Sequence, residues 1–530
     1  MIDLIHKIIF QTAQRSPAVE ALSYQGRQVS YASLSEQLNQ LAAGYLELGV
    51  KRSDRVAIYL EKRPEAVIAM FAASAAGAVF VPVNPLLKPD QVAYILADCN
   101  VKILVTSADR LRSLHKILPS CPDLRCIIVV DATNKAPAET SISVILWEQS
   151  LAMKSSLAPH RCIDTDMAAI LYTSGSTGKP KGVVLSHRNI LAGAASVAEY
   201  LNNTSSDRIL ALLPFSFDYG FSQLTTAFSV GASVVLMNYL LPQDVVRVIV
   251  EEKITGMAAV PPLWMQLSLQ KWPLPSALST LRYITNSGGA MPRTTLAALR
   301  KIFPDAQVYL MYGLTEAFRS SYLPPAEVDA RPDSIGKAIP GAELMVINKA
   351  GQFCAPNEAG ELVHRGALVA LGYWNDAQKT AERFRPAPAV LSGLTLPEIA
   401  VWSGDTVRMD EEGYLYFIGR DDDLIKVSGY RLSPLEVEEV VDQFDCVTEQ
   451  AAIGVPHPVT GQAIVLVVKQ DEEKLLNAGA IRKQCQVQLP AYLVPAHVEM
   501  MSENLPRNAN GKIDRKLLQS RFHDFFQFNP

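Results

Sequence analysis

Short apolar runs recur along the first 340 residues, at 56–60, 79–83, 103–105, 126–130, 170–172, 209–213, 233–237 and 256–260, with helical patterns between them. Continuous runs of this length read as strands buried on both faces. Their alternation with helices predicts parallel sheets covered by helices. Residues 66–87 carry no charge over 22 positions, long enough to span a bilayer. Gly77, Pro82, Asn84 and Pro85 interrupt that stretch, and Ala and Ser dilute it. The pattern predicts a buried helix over 65–76 and a buried strand over 78–83, not a membrane insertion.

From about residue 335 the texture changes. Gly, Pro and short β-like runs at 343–347, 360–363 and 413–418 predict a β-rich subdomain over about 335–420. A charged cluster, Arg420-Asp421-Asp422-Asp423, follows as the candidate linker. Beyond it come a helix over 434–442, strands over 449–455 and 464–469, and a helix over 480–489. The expected fold class is α/β: a large N-terminal domain (1–420) of helix-covered parallel sheets plus the β-rich subdomain, then a small α+β domain (421–530).

Composition narrows the function classes. With 530 residues, 49% hydrophobic and 19% charged, the chain is not of disordered type. A net charge of −4 gives no general attraction to nucleic acid. The last 110 residues are acidic, with 11 basic against 16 acidic side chains. Seven cysteines, an odd number without C-x-x-C spacing, fit a reducing cytoplasm. The first ten residues include Asp3 and Lys7 and lack the pattern of a signal peptide, so a cytoplasmic location is expected. No H-E-x-x-H or Cys/His cluster appears, and no structural metal is expected. His187, in Ser186-His-Arg-Asn189, is a candidate helix cap without a catalytic assignment.

One segment carries chemistry. Leu171-Tyr-Thr-Ser-Gly-Ser-Thr-Gly-Lys-Pro-Lys-Gly182 follows an apolar run and precedes another. Three glycines let the backbone approach a ligand. Thr173, Ser174, Ser176 and Thr177 add hydroxyls, and Lys179 and Lys181 add charge, a combination that suits a polyphosphate. The Walker spacing is absent. The stretch resembles the phosphate loop of the adenylate-forming ligase superfamily, which holds AMP-forming acyl-CoA ligases, peptide-synthetase adenylation domains and luciferases. Five further segments match in the family's order: Asn286-Ser-Gly-Gly-Ala290, Tyr312-Gly-Leu-Thr-Glu316, Trp402-Ser-Gly-Asp405, the stretch from Gly419-Arg420 to Gly429-Tyr-Arg431, and Pro506-Arg-Asn-Ala-Asn-Gly-Lys512.

The resemblance implies a reaction. A carboxylate attacks the α-phosphate of ATP, pyrophosphate leaves, and a thiol then displaces AMP from the acyl-adenylate. It also implies roles. Thr173, Ser174, Gly175, Ser176, Thr177, Gly178, Lys179 and Lys181 hold the outer phosphates. Glu316 is the Mg²⁺ carboxylate, and Thr315 touches the α-phosphate. Tyr312 and Gly313 lie against adenine, with Gly288, Gly289 and Ala290 on its other side. Asp405 and Arg420 bind the ribose. Lys512 bridges substrate carboxylate and α-phosphate during adenylation. The small domain pivots at Asp422 between the two half-reactions, and Gly429 lines the thiol channel.

Pro214-Phe-Ser-Phe-Asp-Tyr-Gly220 occupies the segment that opens the acid pocket. Phe217-Asp218 is similar to the Phe-Asp of amino-acid-adenylating domains, where the Asp binds the α-ammonium. The alternative is that Asp218 caps a helix starting near Tyr219. The remaining pocket positions by resemblance are Tyr219, Ser222, Ala259, Thr285, Ser287, Met311, Arg319 and Ser320. Arg319 departs from familiar amino-acid pockets. It would pair either with a second carboxylate of the substrate or with Asp218 itself. The chain looks like stand-alone adenylating enzymes that load proline onto a carrier protein, and a small amino acid with proline favoured is the expected substrate. With no carrier segment after the lysine motif, the acceptor is the phosphopantetheine of a free-standing acyl or peptidyl carrier protein, or coenzyme A. The alternative is an AMP-forming acyl-CoA ligase acting on a fatty, aryl or dicarboxylic acid.

Overall fold

The computed structural model describes residues 2–131, 142–173, 179–388, 396–420, 424–444, 447–470, 477–507 and 513–528. The apolar runs of the first 340 residues all form strands. Those up to position 186 build one eight-stranded sheet. Its middle is parallel, with Arg55–Tyr59 between Val79–Pro82 and Val101–Thr106. The last hairpin is antiparallel: Met167–Thr173 pairs with Lys181–Ser186, and Thr173 stands opposite Lys181. That pairing sets both ends of the Gly/Ser/Thr loop at one hairpin tip.

The uncharged stretch folds as its pattern predicts. Pro64–Ala76 is a helix, buried on every side, and Val79–Pro82 is a strand buried throughout. An apolar surface all round is the signature of a helix enclosed by protein. It packs in the largest core cluster, with Phe71 against Phe221 and Phe228 of the helix Asp218–Val230. Among the described residues no helix is long and apolar enough to cross a membrane.

The second sheet has 14 strands. Arg208–Ala211, Ser233–Leu236, Gly256–Ala259, Tyr283–Asn286 and Gln307–Tyr312 run parallel. The β-rich region does not form a sheet of its own. Ser321–Leu323 pairs antiparallel with both Gln307–Tyr312 and Ser334–Ala338. Through Leu415–Arg420, Ile399–Met409 and Ala359–Gly366 the same sheet continues to Ala342–Ile347. The change of texture in the sequence marks a change from parallel to antiparallel pairing, because hairpins replace helical crossovers.

Beyond residue 424 a five-stranded sheet forms around the hairpin of Val447–His457 and Gly461–Gln470. Strand alternation divides its side chains. Ile464, Leu466 and Val468 pack with the helices Pro434–Val441 and Ala478–Gln488, while Ala463, Val465 and Val467 pack with Leu518 of Arg515–Phe522. Buried Glu438 ties the two layers, accepting from Arg515 Nη2 at 2.7 and 2.9 Å and from the Ala452 amide at 2.7 Å.

Three buried histidines are held neutral. His6 Nδ1 lies 2.9 Å from Ser74 Oγ, His187 Nδ1 accepts from the Ile5 amide at 3.3 Å, and His364 Nδ1 lies 3.0 Å from Ser320 Oγ. His187 is not the helix cap; Ser186 is, its Oγ accepting from the Asn189 amide. Burial pushes the three down to about 3, about 4 and about 3 from 6.5. Their pKa values are lower folded than unfolded, so the unfolded chain binds more protons below pH 6.5 and stability falls on acidification toward pH 4. The urea midpoint should be flat above pH 7 and drop between pH 6.5 and 4.5. His364→Asn should make the drop shallower; an unchanged midpoint from pH 7.5 to 5 would contradict this.

Candidate active site

The site lies at the carboxyl ends of the parallel strands, where α/β sheets receive ligands. Tyr312 ends the strand Gln307–Tyr312, and Asn286 ends its neighbour Tyr283–Asn286. Tyr312 Oη donates to Asp405 Oδ2 across 93 positions of sequence. Asp405 is 1% exposed, and its amide donates to Ser403 Oγ at 3.1 Å, which in turn donates to the Leu362 carbonyl at 2.7 Å. The strand register sets Asp405 opposite Arg420. On the neighbouring loop Asn286 Nδ2 donates to the Gly289 carbonyl at 2.9 Å, closing the turn that presents Gly288 and Gly289. A glycine turn, and a carboxylate bonded to a tyrosine, thus follow the ends of two neighbouring strands.

A short helical turn, Thr315–Ala317, carries Glu316. Glu316 Oε1 accepts from Tyr373 Oη at 2.7 Å. Tyr373 belongs to the short strand Gly372–Tyr373, which pairs with the Lys181–Ser186 strand. Lys181 Nζ lies 5.5 Å from the centre of the Tyr373 ring. Burial, then the charge of Lys379, pulls the Lys181 ammonium below its ordinary range, and Glu316 opposes that pull. Lys179 is exposed at the end of the hairpin. Tyr373 was not among the residues expected from sequence. Its neighbourhood, Gly372-Tyr-Trp-Asn375, has no periodicity and no motif, so only the strand pairing reveals it.

The acid pocket opens beneath the helix Asp218–Val230. Phe217 holds the N-cap position without a side-chain bond, and Asp218 is the first helical residue. Asp218 therefore does not cap the helix. Its Oδ2 accepts from Arg319 Nη1 at 2.8 Å and its Oδ1 from Thr315 Oγ1 at 3.3 Å. Arg319 lies 4.7 Å over the Tyr219 ring, and Tyr219 Oη is 2.7 Å from Thr285 Oγ1. A Cβ on Gly220 would lie 2.0 Å from the Pro214 carbonyl oxygen, so only glycine lets this segment fold under the helix.

Tyr219, Ser222, Thr285, Met311 and Arg319 line one recess, together with Gln223, Thr226 and Ala258. Five expected positions do not line it, and Asp218 meets it only through its bond to Arg319. Ala259 packs behind the strand, against the cluster of Trp264, whereas Ala258 faces the recess; adjacent strand residues point to opposite faces. Ser320 turns to His364. Phe217 meets Tyr430 edge-on, with ring centres 4.9 Å apart. Ser287 is buried in the loop after its strand and does not line the recess.

The small unit reaches this site through the hairpin turn at Gly429. Gly429 has φ +85, and a Cβ there would lie 2.8 Å from Val260 Cγ1. Its carbonyl oxygen also borders Gly288. Tyr430 stacks on Tyr492 at 4.0 Å and 10° while its edge meets Phe217. Arg507 and Ile513 bridge one another, and Ile513 packs on the opposite face of the small sheet from Tyr430. Lys512, Asp422, residues 174–178 and the Arg420 side chain lie outside the described residues.

Comparison with known proteins gives the family. The profile of the AMP-binding enzyme family matches residues 9–374, and that of the AMP-binding enzyme C-terminal domain matches residues 436–512. The chain is 31% identical to the L-proline–[L-prolyl-carrier protein] ligase of Streptomyces coelicolor, over 92% of this chain and 91% of that protein. It is 28% identical to bacitracin synthase 3 of Bacillus licheniformis, over 97% of this chain but only 8% of that protein. Tyrocidine synthase 2 of Brevibacillus parabrevis, 30% identical, is likewise far longer, and the chain spans 13% of it. Among solved structures, the o-succinylbenzoate CoA synthetase of Bacillus subtilis, bound with a product analogue, superposes with a TM-score of 0.82 at 26% identity, covering 97% of this chain and 98% of that one. The chain belongs to the AMP-binding enzyme family.

Proposed function

We propose that this chain is an AMP-forming ligase that activates a small amino acid, with proline the first candidate, and passes it to the phosphopantetheine thiol of a separate carrier protein. The observation that carries the amino-acid reading is Asp218, a carboxylate bonded to Thr315 at 3.3 Å and, at 2.8 Å, to Arg319, which lines the recess. Thr315 is the residue assigned to the α-phosphate, so an acid reacting there would set its α-ammonium beside Asp218. A carboxylate has lone pairs for an ammonium as well as for Arg319. The likeness to the proline ligase, over nine-tenths of both chains, supports proline and the carrier protein.

In the reaction, a carboxylate oxygen of the substrate bonds to the α-phosphorus of ATP as the bond to the bridging oxygen of pyrophosphate breaks. The thiol sulfur then attacks the acyl carbon, loses its proton, and AMP leaves. No side-chain nucleophile is needed; positioning and charge neutralisation do the work. Tyr312 and Asp405 would hold the nucleoside, and Lys179 and Lys181 the outer phosphates. The residues fit Mg²⁺: Glu316 offers one carboxylate oriented by Tyr373, and this ion takes one or two carboxylates with phosphates and waters. Bound there, Mg²⁺ would neutralise phosphate charge. Lys512 would serve adenylation and Gly429 the thiol step. The contact of Gly429 with Val260 and Gly288 supports a role for that turn at the acid site.

A second reading has its own support. Arg319 already neutralises Asp218, and o-succinylbenzoate CoA synthetase shares the architecture. An acyl-CoA ligase of a fatty, aryl or dicarboxylic acid would fit those facts.

ATP–pyrophosphate exchange across amino acids and simple carboxylates decides between them. Exchange with proline is expected, reduced at least tenfold by Asp218→Ala; exchange with non-amino acids alone sinks the lead reading. Lys512→Ala should abolish exchange yet spare transfer from supplied acyl-adenylate. Gly429→Ala should do the reverse, because its Cβ meets Val260; equal loss of both steps in either variant contradicts the division. Tyr373→Phe should raise the Mg²⁺ concentration for half-maximal exchange about tenfold, as losing a partner of a metal carboxylate does; an unchanged requirement removes Tyr373 from the site.

A further inference from the structure

We infer that this enzyme prefers amino acids with a hydroxyl on the side chain or ring over their apolar analogues, hydroxylated proline over proline included, and that Arg319 and Gln223 together select for it. This rests on the amino-acid reading above and narrows it.

Arg319 is 3% exposed, yet its bonding is half complete. Nη1 donates to Asp218 at 2.8 Å and to the Phe318 carbonyl at 3.1 Å. Nε and Nη2 are buried and have no partner among the described residues. The guanidinium brings five N–H groups, and leaving buried donors unmade is costly. Gln223, 6% exposed, lines the same recess with the opposite deficit. Its Nε2 donates to the Leu210 carbonyl at 2.9 Å, which fixes the amide's orientation, and its Oε1 has no partner among the described residues.

Arg319 and Gln223, two residues that line the recess, thus carry unfilled donors and an unfilled acceptor between them. A hydroxyl accepts and donates at once and satisfies both. A methyl or methylene group satisfies neither. A carboxylate suits the donors but meets the Gln223 oxygen with like charge, and Asp218 already balances the charge of Arg319. The order of groups gives a ruler. Thr315 bonds Asp218, Asp218 bonds Arg319, and Arg319 lies over Tyr219 at the inner wall. An acid reacting beside Thr315 passes its α-ammonium at Asp218 and reaches Arg319 with its next polar group. Polar recognition of this kind discriminates far more strongly than an apolar pocket can, because the analogue lacking the group leaves buried partners unmade.

The test is pyrophosphate exchange with matched pairs: 4-hydroxyproline against proline, threonine against 2-aminobutyrate, serine against alanine. The hydroxylated member of at least one pair should exceed its partner about tenfold or more in kcat/KM. Arg319→Lys, which keeps a cation for Asp218 but loses the extra donors, should bring that ratio toward one, with a melting curve confirming the fold. Equal or greater activity with the apolar members overturns the inference while leaving amino-acid activation intact. A preference for aspartate or glutamate overturns it in favour of a carboxylate. Activity confined to hydroxy acids without an amine supports hydroxyl selection and removes the amino-acid reading.

Discussion

A buried ion pair between Asp218 and Arg319 is the interaction on which the site depends. It joins the first turn of one helix to the turn that follows the strand Gln307–Tyr312. Arg319 is 3% exposed, so removing either partner would strand a charge in the interior, at a cost of about 3–5 kcal/mol. Phe318, beside it, holds φ +56, a conformation that non-glycine side chains avoid. The pair and the Arg319 bond to the Phe318 carbonyl hold that turn in place. Within eight residues, 312–319, the turn then aims Tyr312 at Asp405, Glu316 at Tyr373 and Arg319 at the acid recess.

Much of this was legible in the sequence, and for identifiable reasons. Strands buried on both faces advertise themselves as continuous apolar runs, so 56–60 and 256–260 needed no structure. The uncharged stretch resolved into helix and strand because Gly77 and Pro82 punctuate it. Tyr312, Asp405 and Glu316 sit in segments whose spacing is recognisable, and the structure brings them to one region.

What was hidden depends on pairing and on side-chain direction. A one-residue difference decides whether Ala258 or Ala259 faces the recess, since strand period flips each side chain. Tyr373 reaches Glu316 only because a two-residue strand joins the edge of the first sheet. The pairing of Arg319 with Asp218, 101 positions away, was one of two alternatives open from the sequence, and the structure shows that one formed. Texture does not reveal that the β-rich region extends the second sheet instead of standing apart.

That continuity has a mechanical consequence. Tyr312 and Asp405 belong to strands linked by backbone pairing through Ser321–Leu323, Ser334–Ala338 and Leu415–Arg420, with register shifts at Ser334/Gly336 and Thr406/Val407. Sliding one strand against the next would break a ladder of backbone bonds, so Tyr312 and Asp405 keep their spacing as one stiff pair. On the proposed reading, a nucleotide between them would meet the same spacing before and after pyrophosphate leaves, and would serve as the fixed reference for groups that move.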